Sequence, residues 1–191
     1  MENITICSPE TYETLQKKIR ISCSMQDRQW IYHIINNDAK NEEIVHDTKD
    51  WIVCIDKHQG SDVRYLIIFK DNALKTIRDL NQSHLPMLRE VQTWCQDFLV
   101  KHWGHKHAYQ IFFHYLPSVF QLHLHLSKSN SWIAQNHRRH PLHTIIRNIG
   151  CDSTHYAKAL ILIPVSRFVR NMTEYNPSKK NVCLPDPSVW T

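Results

Sequence analysis

The chain has 191 residues, 42% of them hydrophobic, and a formal net charge of +5. That length and apolar content support one cored domain with room for an appendage. Only 3 glycines are present, which excludes a glycine-rich phosphate loop, so a phosphate site has to use side chains or ordinary turn amides.

The positive balance favours anionic partners such as nucleotides or RNA, although a solvated basic surface also accounts for it. The 6 cysteines (Cys7, Cys23, Cys54, Cys95, Cys151, Cys183) never form a Cys-x-x-Cys pair, and several lie in apolar segments. They read as reduced thiols of an intracellular protein rather than a disulfide or zinc framework. The N-terminus shows no basic-then-apolar signal, and no apolar run is long enough to span a bilayer. A soluble protein of the cytoplasm, or cytoplasm and nucleus, is expected, with no membrane partner.

In chain order, residues 1–23 are poorly periodic. Ile4, Ile6, Tyr12, Leu15, Ile19 and Ile21 can form short strands or a docking arm. Ser24 and Asp27 have capping-box spacing, and Trp30, Ile31, Ile34 and Ile35 recur with helical period, which predicts a helix over 25–37. Two short strands follow, Ile44-Val45-His46 and Trp51-Ile52-Val53-Cys54, then a buried strand over Arg64–Lys70. Between them lies a loop with Asp56, Lys57 and His58. Ser83 is placed to cap a long helix over 84–102, with Pro86 in its first turn. Leu85, Leu88, Val91, Cys95, Phe98, Leu99 and His102 make its apolar face. The cluster His102, His105 and His107 can ligate metal, but it has no cysteine partner and reads as an exposed loop. A strand over Tyr109–His114 comes next. Residues 137–149 read as a basic helix with Leu142, Ile145, Ile146 and Ile149 inward, ended by Gly150 as a C′ residue. Ala159–Pro164 is the last strand. The expected layout is an N-terminal arm (1–23), a domain (24–168) and a loose polar tail (169–191).

The chemistry concentrates in His114-Tyr115-Leu116-Pro117-Ser118-Val119-Phe120-Gln121-Leu122-His123-Leu124-His125-Leu126. Read locally, this is a strand end, a turn at Leu116-Pro117-Ser118 and a second strand. Alternation places Gln121, His123 and His125 on one face and Phe120, Leu122, Leu124 and Leu126 on the other. His114 can join the imidazoles if the two strands pair. Two histidines on a polar strand face can be simple surface residues. Clustered imidazoles also suit phosphate or metal, because each ring needs partners for its nitrogens. A phosphate held among them can be attacked by one imidazole while another donates a proton to the departing oxygen. Neither magnesium nor another cofactor is needed in principle if imidazoles and amides supply the positive field.

This segment resembles the histidine-triad (HIT) motif with Gln121 in place of the first histidine, and His114-Tyr115-Leu116-Pro117-Ser118 resembles the scavenger mRNA decapping enzyme branch. The likeness extends over roughly 24–168, including Ile77-Arg78-Asp79-Leu80, His84-Leu85-Pro86-Met87-Leu88-Arg89 and Cys151-Asp152-Ser153-Thr154-His155-Tyr156. It implies an α+β, HIT-like fold, a mainly antiparallel sheet with helices packed against it. It implies His123 as nucleophile, with His125 and His114 orienting the phosphate and Gln121 positioning His123. Trp30, otherwise a core residue of its helix, would stack on a methylated guanine by cation–π attraction. An acidic residue expected ten positions later is Lys40 here, with Glu42 or Glu43 as substitutes. Asp56 matches a cap-facing aspartate of the family, and either Lys57 or His58 matches its lysine. Ser118 and Lys128, near the motif, can hold phosphate oxygens. Of Arg138 and Arg139 at the start of the basic helix, one, by resemblance Arg138, would contact phosphate, the pair being otherwise a solvated helix end. Only 29 residues precede Trp30, so the sizeable N-terminal domain of the family is expected to be reduced to an arm.

The expected activity is hydrolysis of the triphosphate bridge of a 7-methylguanosine cap, in a cap dinucleotide or capped RNA. It would release 7-methylguanosine monophosphate through a nucleotidyl–histidine intermediate, in a monomer or homodimer without metal. The alternatives are a HIT hydrolase of another nucleotide, such as a dinucleoside polyphosphate, and a non-catalytic cap-binding protein, the latter because of Gln121.

Overall fold

The computed structural model describes residues 4–9, 11, 13, 29–38, 42–56, 64–103, 109–128 and 138–164. The elements are β1 (Ile4–Cys7), α1 (Trp30–Ile35), β2 (Ile44–Asp47), β3 (Trp51–Ile55), β4 (Tyr65–Phe69), α2 (Leu85–Trp103), β5 (Tyr109–His114), β6 (His123–Lys128), β7 (Arg139–Pro141), α3 (Leu142–Cys151), α4 (His155–Lys158) and β8 (Ile161–Pro164). Strands β2 to β7 form one antiparallel sheet in the order β2-β3-β4-β6-β5-β7, and β1 pairs with β8 in a separate two-stranded sheet. The expected α+β class with a mainly antiparallel sheet is what the chain adopts.

The near-continuous apolar runs of β3 and β4 are explained by burial on both faces. Trp51, Val53, Tyr65, Ile67 and Phe69 join Leu124 and Leu126 of β6 in the main core. Onto that face α2 presents Leu88, Val91, Cys95 and Phe98, and α3 presents Leu142, Ile145 and Ile149, both with helical spacing. Each such side chain contributes about 1.5–3 kcal/mol on burial. Ile52, Cys54, Leu66 and Ile68 face the other way and form a smaller cluster with Val119 and with Ile31 and Ile34 of α1. That second cluster covers β3 and β4 only. Over β6 and β5 the same face carries the histidines.

Three elements differ from expectation. The stretch over 137–149 is not one helix: Arg139–Pro141 is a strand on β5, with His114 opposite Arg139, and α3 begins only at Leu142. Three residues are too few to show a period of two, so the strand merged with the helix that follows it. Gly150 does not end that helix; it lies inside it, and Asp152 is the C-cap. Ser83 does not cap α2. The Asn81 side chain accepts from Ser83 N (2.9 Å) and caps a short 3-10 turn, Gln82–His84, that runs into α2.

Cys7, Cys54, Cys95 and Cys151 are free thiols, the first three buried, and burial pushes Cys95 up to about 12. Among the described residues no helix is long and apolar enough to cross a membrane. His105, His107 and the tail over 169–191 lie outside the described residues.

Candidate active site

Cross-strand partners in a sheet point to the same face, and this rule assembles the site. Leu66 pairs with His125 and Ile68 with His123 across β4–β6. Phe112 pairs with His125 across β5–β6. The three imidazoles therefore converge on the half of the sheet that α1 does not cover. The His114 and His125 ring centroids are 4.5 Å apart, and those of His123 and His125 are 5.3 Å apart. Phe112 stacks on His125 with centroids 5.5 Å apart and planes at 16°.

His123 is 9% exposed, and its Nδ1 lies 2.7 Å from the backbone carbonyl of Gln121. A carbonyl only accepts, so Nδ1 must carry the proton and the neutral ring keeps its lone pair on Nε2. The tautomer of this ring is thereby set by a main-chain contact. Gln121 itself departs from the expected pattern. Strand β6 starts at His123, and Gln121 sits in the bend before it. The reason is local: Leu122 N donates to Leu74 O (2.8 Å) and its carbonyl accepts from Phe69 N, which redirects the chain ahead of the strand. The Gln121 side chain is fully buried and turns away, donating through Nε2 to the carbonyls of Phe69 (2.7 Å) and Asp71 (2.9 Å) and accepting from Lys75 Nζ (3.2 Å). Residue 121 touches His123 through its backbone, a contact that does not depend on which side chain stands there.

His125 lies close to both other rings, and its side chain is 16% exposed. Its pKa is held well below the usual histidine value, first by burial and then by His123, His114, Arg64 and Arg139. Its Nε2 is buried without a hydrogen-bond partner. The Asp56 carboxylate, 7% exposed, stands 4.0 Å from His125 Nδ1, beyond hydrogen-bond distance. The resting ring is neutral, with an open nitrogen and positive neighbours, which suits an arriving anion.

The remaining candidates distribute unevenly. Trp30 opens α1, half-buried against the Ile31–Val119 cluster on the same face as the imidazoles. Ser118 lies on an exposed turn. Arg138 is 9% exposed, and its backbone carbonyl accepts from Tyr115 N at 3.0 Å, so it is no solvated helix end. Lys57, His58 and Lys40 lie outside the described residues, as does the Lys128 side chain at the end of β6. Glu43 faces the wrong way to meet a base beside Trp30. It lines a cavity of about 510 Å³ with Tyr65, Trp94 and Phe98 on the opposite side of the sheet, where burial first and the Glu43 charge second raise the Tyr65 pKa. Of the two substitutes for the missing acid, Glu42 is left.

One residue near the imidazoles went unnoticed in the sequence, Arg64, and strand register reveals it. Register also separates Arg139, opposite His114, from its neighbour Arg138. Among the described residues no group of His, Cys, Asp and Glu has the geometry to hold a metal ion.

An antiparallel sheet bearing three imidazoles, one with a fixed tautomer and one desolvated beside guanidiniums, can take up a phosphate and present a ring nitrogen to it. The model of the family described as "Scavenger mRNA decapping enzyme C-term binding" matches residues 29–140, and the chain belongs to that family. It is 30% identical over 139 residues to the human m7GpppX diphosphatase, covering 67% of this chain and 41% of the relative. It is 23% identical over 185 residues to the m7GpppX diphosphatase of Caenorhabditis elegans, covering 91% of this chain and 59% of the relative. The chain thus spans about two-fifths of the length of the mammalian relatives. Among solved structures, a HIT family hydrolase from Legionella pneumophila is similar at 19% identity and a TM-score of 0.47, covering 53% of this chain and 93% of that one.

Proposed function

We propose that this domain hydrolyses the triphosphate bridge of a 7-methylguanosine cap, with His123 as the nucleophile. The observation that carries the reading is the 2.7 Å bond between His123 Nδ1 and the Gln121 carbonyl, which leaves Nε2 as the attacking nitrogen. Nε2 bonds to the phosphorus next to methylguanosine, and the phosphorus–oxygen bond to the rest of the bridge breaks. Its electron pair leaves with the diphosphate of the second nucleoside or RNA. His114 and His125 orient the phosphate and carry part of its charge. Water then breaks the nitrogen–phosphorus bond, restores the imidazole and releases 7-methylguanosine monophosphate. Membership of the decapping family and the m7GpppX diphosphatase relatives support this substrate.

The test is quenching, in alkaline detergent, of the protein mixed with cap dinucleotide labelled at the phosphate beside methylguanosine. Label on His123, absent in His123→Asn, is expected. Undiminished turnover by His123→Asn rejects the mechanism.

A second reading has one observation in its favour. Glu43 points away from Trp30, which weakens the acidic half of a methylguanine pocket and admits another nucleotide, such as a dinucleoside polyphosphate, on the same imidazoles. Competition by methylated against unmethylated guanosine nucleotides separates the two: equal competition favours the second.

A further inference from the structure

Adjacent arginines, 138 and 139, meet the site differently. Arg138 is the one the family resemblance selects, and its backbone is tied to Tyr115. Arg139 stands opposite His114 in the β5–β7 register and so shares the imidazole face. Its guanidinium carbon lies 4.6 Å from the centre of the Phe112 ring, which also stacks on His125. Its Nη1 donates to Gln110 Oε1 at 2.6 Å, while its Nε is buried with no hydrogen-bond partner. The phenyl ring and the amide fix the planar group and leave donors unused.

Arg64 stands two residues before Leu66, the β4 partner of His125, and hence on the same face. With strand order β4-β6-β5-β7, the two arginines flank His125 from opposite sides. They are also close enough to act on each other: the Arg139 pKa is lowered first by burial and then by Arg64. Two guanidiniums brought together around a desolvated imidazole repel one another, and an anion with several charged oxygens relieves that repulsion.

We propose that Arg139, with Arg64 across His125, takes phosphate oxygens in this site, and that the domain therefore favours ligands with two or more linked phosphates over monophosphates. This rests on reading the imidazole row as a phosphate site, and it adds a specificity residue that the family resemblance does not supply. A single fixed guanidinium meets one phosphate bidentately, and a second cation beyond the imidazole rewards a second phosphate.

The test is calorimetric titration of inorganic pyrophosphate and of guanosine mono-, di- and triphosphate into the wild type, Arg139→Gln, Arg139→Lys and Arg138→Gln, with melting temperatures measured in parallel. The wild type should gain roughly tenfold or more in affinity from mono- to diphosphate. Arg139→Gln should lose most of that gain while melting as the wild type does, Arg139→Lys should recover part of it, and Arg138→Gln should keep the ratio. An unchanged mono-to-diphosphate ratio in Arg139→Gln overturns the proposal, as does an equal loss in both glutamine variants accompanied by lower melting temperatures. Cap hydrolysis, assayed on the same samples, keeps the two ideas apart. A wild type that discriminates phosphates through Arg139 but cleaves no cap refutes the decapping reading alone. A wild type that cleaves cap with Arg139→Gln unaffected refutes the Arg139 assignment alone.

Discussion

Arginine meets histidine on both faces of the six-stranded sheet. On the closed face Arg78, 3% exposed, donates from Nε to Tyr115 Oη (2.7 Å), from Nη1 to the carbonyls of Tyr156 (2.8 Å) and Ala159 (3.0 Å), and from Nη2 to Cys7 O (2.8 Å). His140 lies in its field, with its pKa lowered to about 4 by burial first and by Arg78 second. On the open face Arg139 makes one such bond, to Gln110, near His125, whose pKa is lowered too, first by burial. The two imidazoles are alike, each with a buried Nε2 lacking a partner. The arginines separate the regions. One has spent its donors on main-chain and phenol oxygens, knitting β1, the turn after α4 and the segment after β5 into one core. The other keeps donors in hand. A buried cation with its donors used is architecture, and one with donors left over beside the imidazole row is what the proposed phosphate role requires.

The largest expected effect breaks the open side. His123→Asn should reduce cap-dinucleotide turnover at least about a thousandfold, with circular dichroism and melting temperature unchanged. Next, Arg78→Met should break the closed side, costing about 3 kcal/mol or more by stranding buried oxygen acceptors, read as a lower urea midpoint. The same change at Arg139 should leave the midpoint nearly unmoved.

The paired histidines sharpen the contrast through pH. The native His140 pKa is about 4 against 6.5 for the free side chain. Between those values the unfolded chain binds a proton that the native state refuses. Stability is therefore full above pH 6.5 and falls as the pH drops toward 4, by at most about 3 kcal/mol from this residue. His140→Phe should flatten that part of the curve. His125 is depressed in the same direction, yet its ring should take up a proton when pyrophosphate binds. NMR titration should show the His125 pKa rising on binding and that of His140 staying in place. The smallest effect is at Gln121. Gln121→Ala forfeits the bonds to Phe69 and Asp71 and should cost about 2 kcal/mol of stability, with a smaller change in turnover than His123→Asn, because the carbonyl that holds His123 remains.

Much of this architecture is legible in the residues. The alternation of His123-Leu124-His125-Leu126 against the apolar Tyr65–Phe69 run fixes which face carries imidazoles, and the heptad-like spacing from Leu88 to Phe98 marks the helix on the other side. Three things are not legible. β7 is three residues long and ends in Pro141, so no local period announces it, and only the partner on β5 tells Arg139 from Arg138 as the one opposite His114. Gly150 invites a helix end, but nothing lies within 4 Å of where its Cβ would stand, and the helix runs one residue past it. The side chain of Gln121 belongs by alternation with His123 and His125. Its actual direction is set by Leu74 and Phe69, 47 and 52 residues upstream, which hold Leu122.

The Lys75 ammonium sits between Tyr32 Oη of α1 (3.3 Å) and Gln121 Oε1 (3.2 Å). Helix α1 and the carbonyl that sets the tautomer of His123 therefore hang from one tether. Any displacement of α1 is passed through Lys75 to the side chain of Gln121, whose main-chain carbonyl steadies the His123 ring, so the indole end of that helix and the imidazole are linked without ever touching.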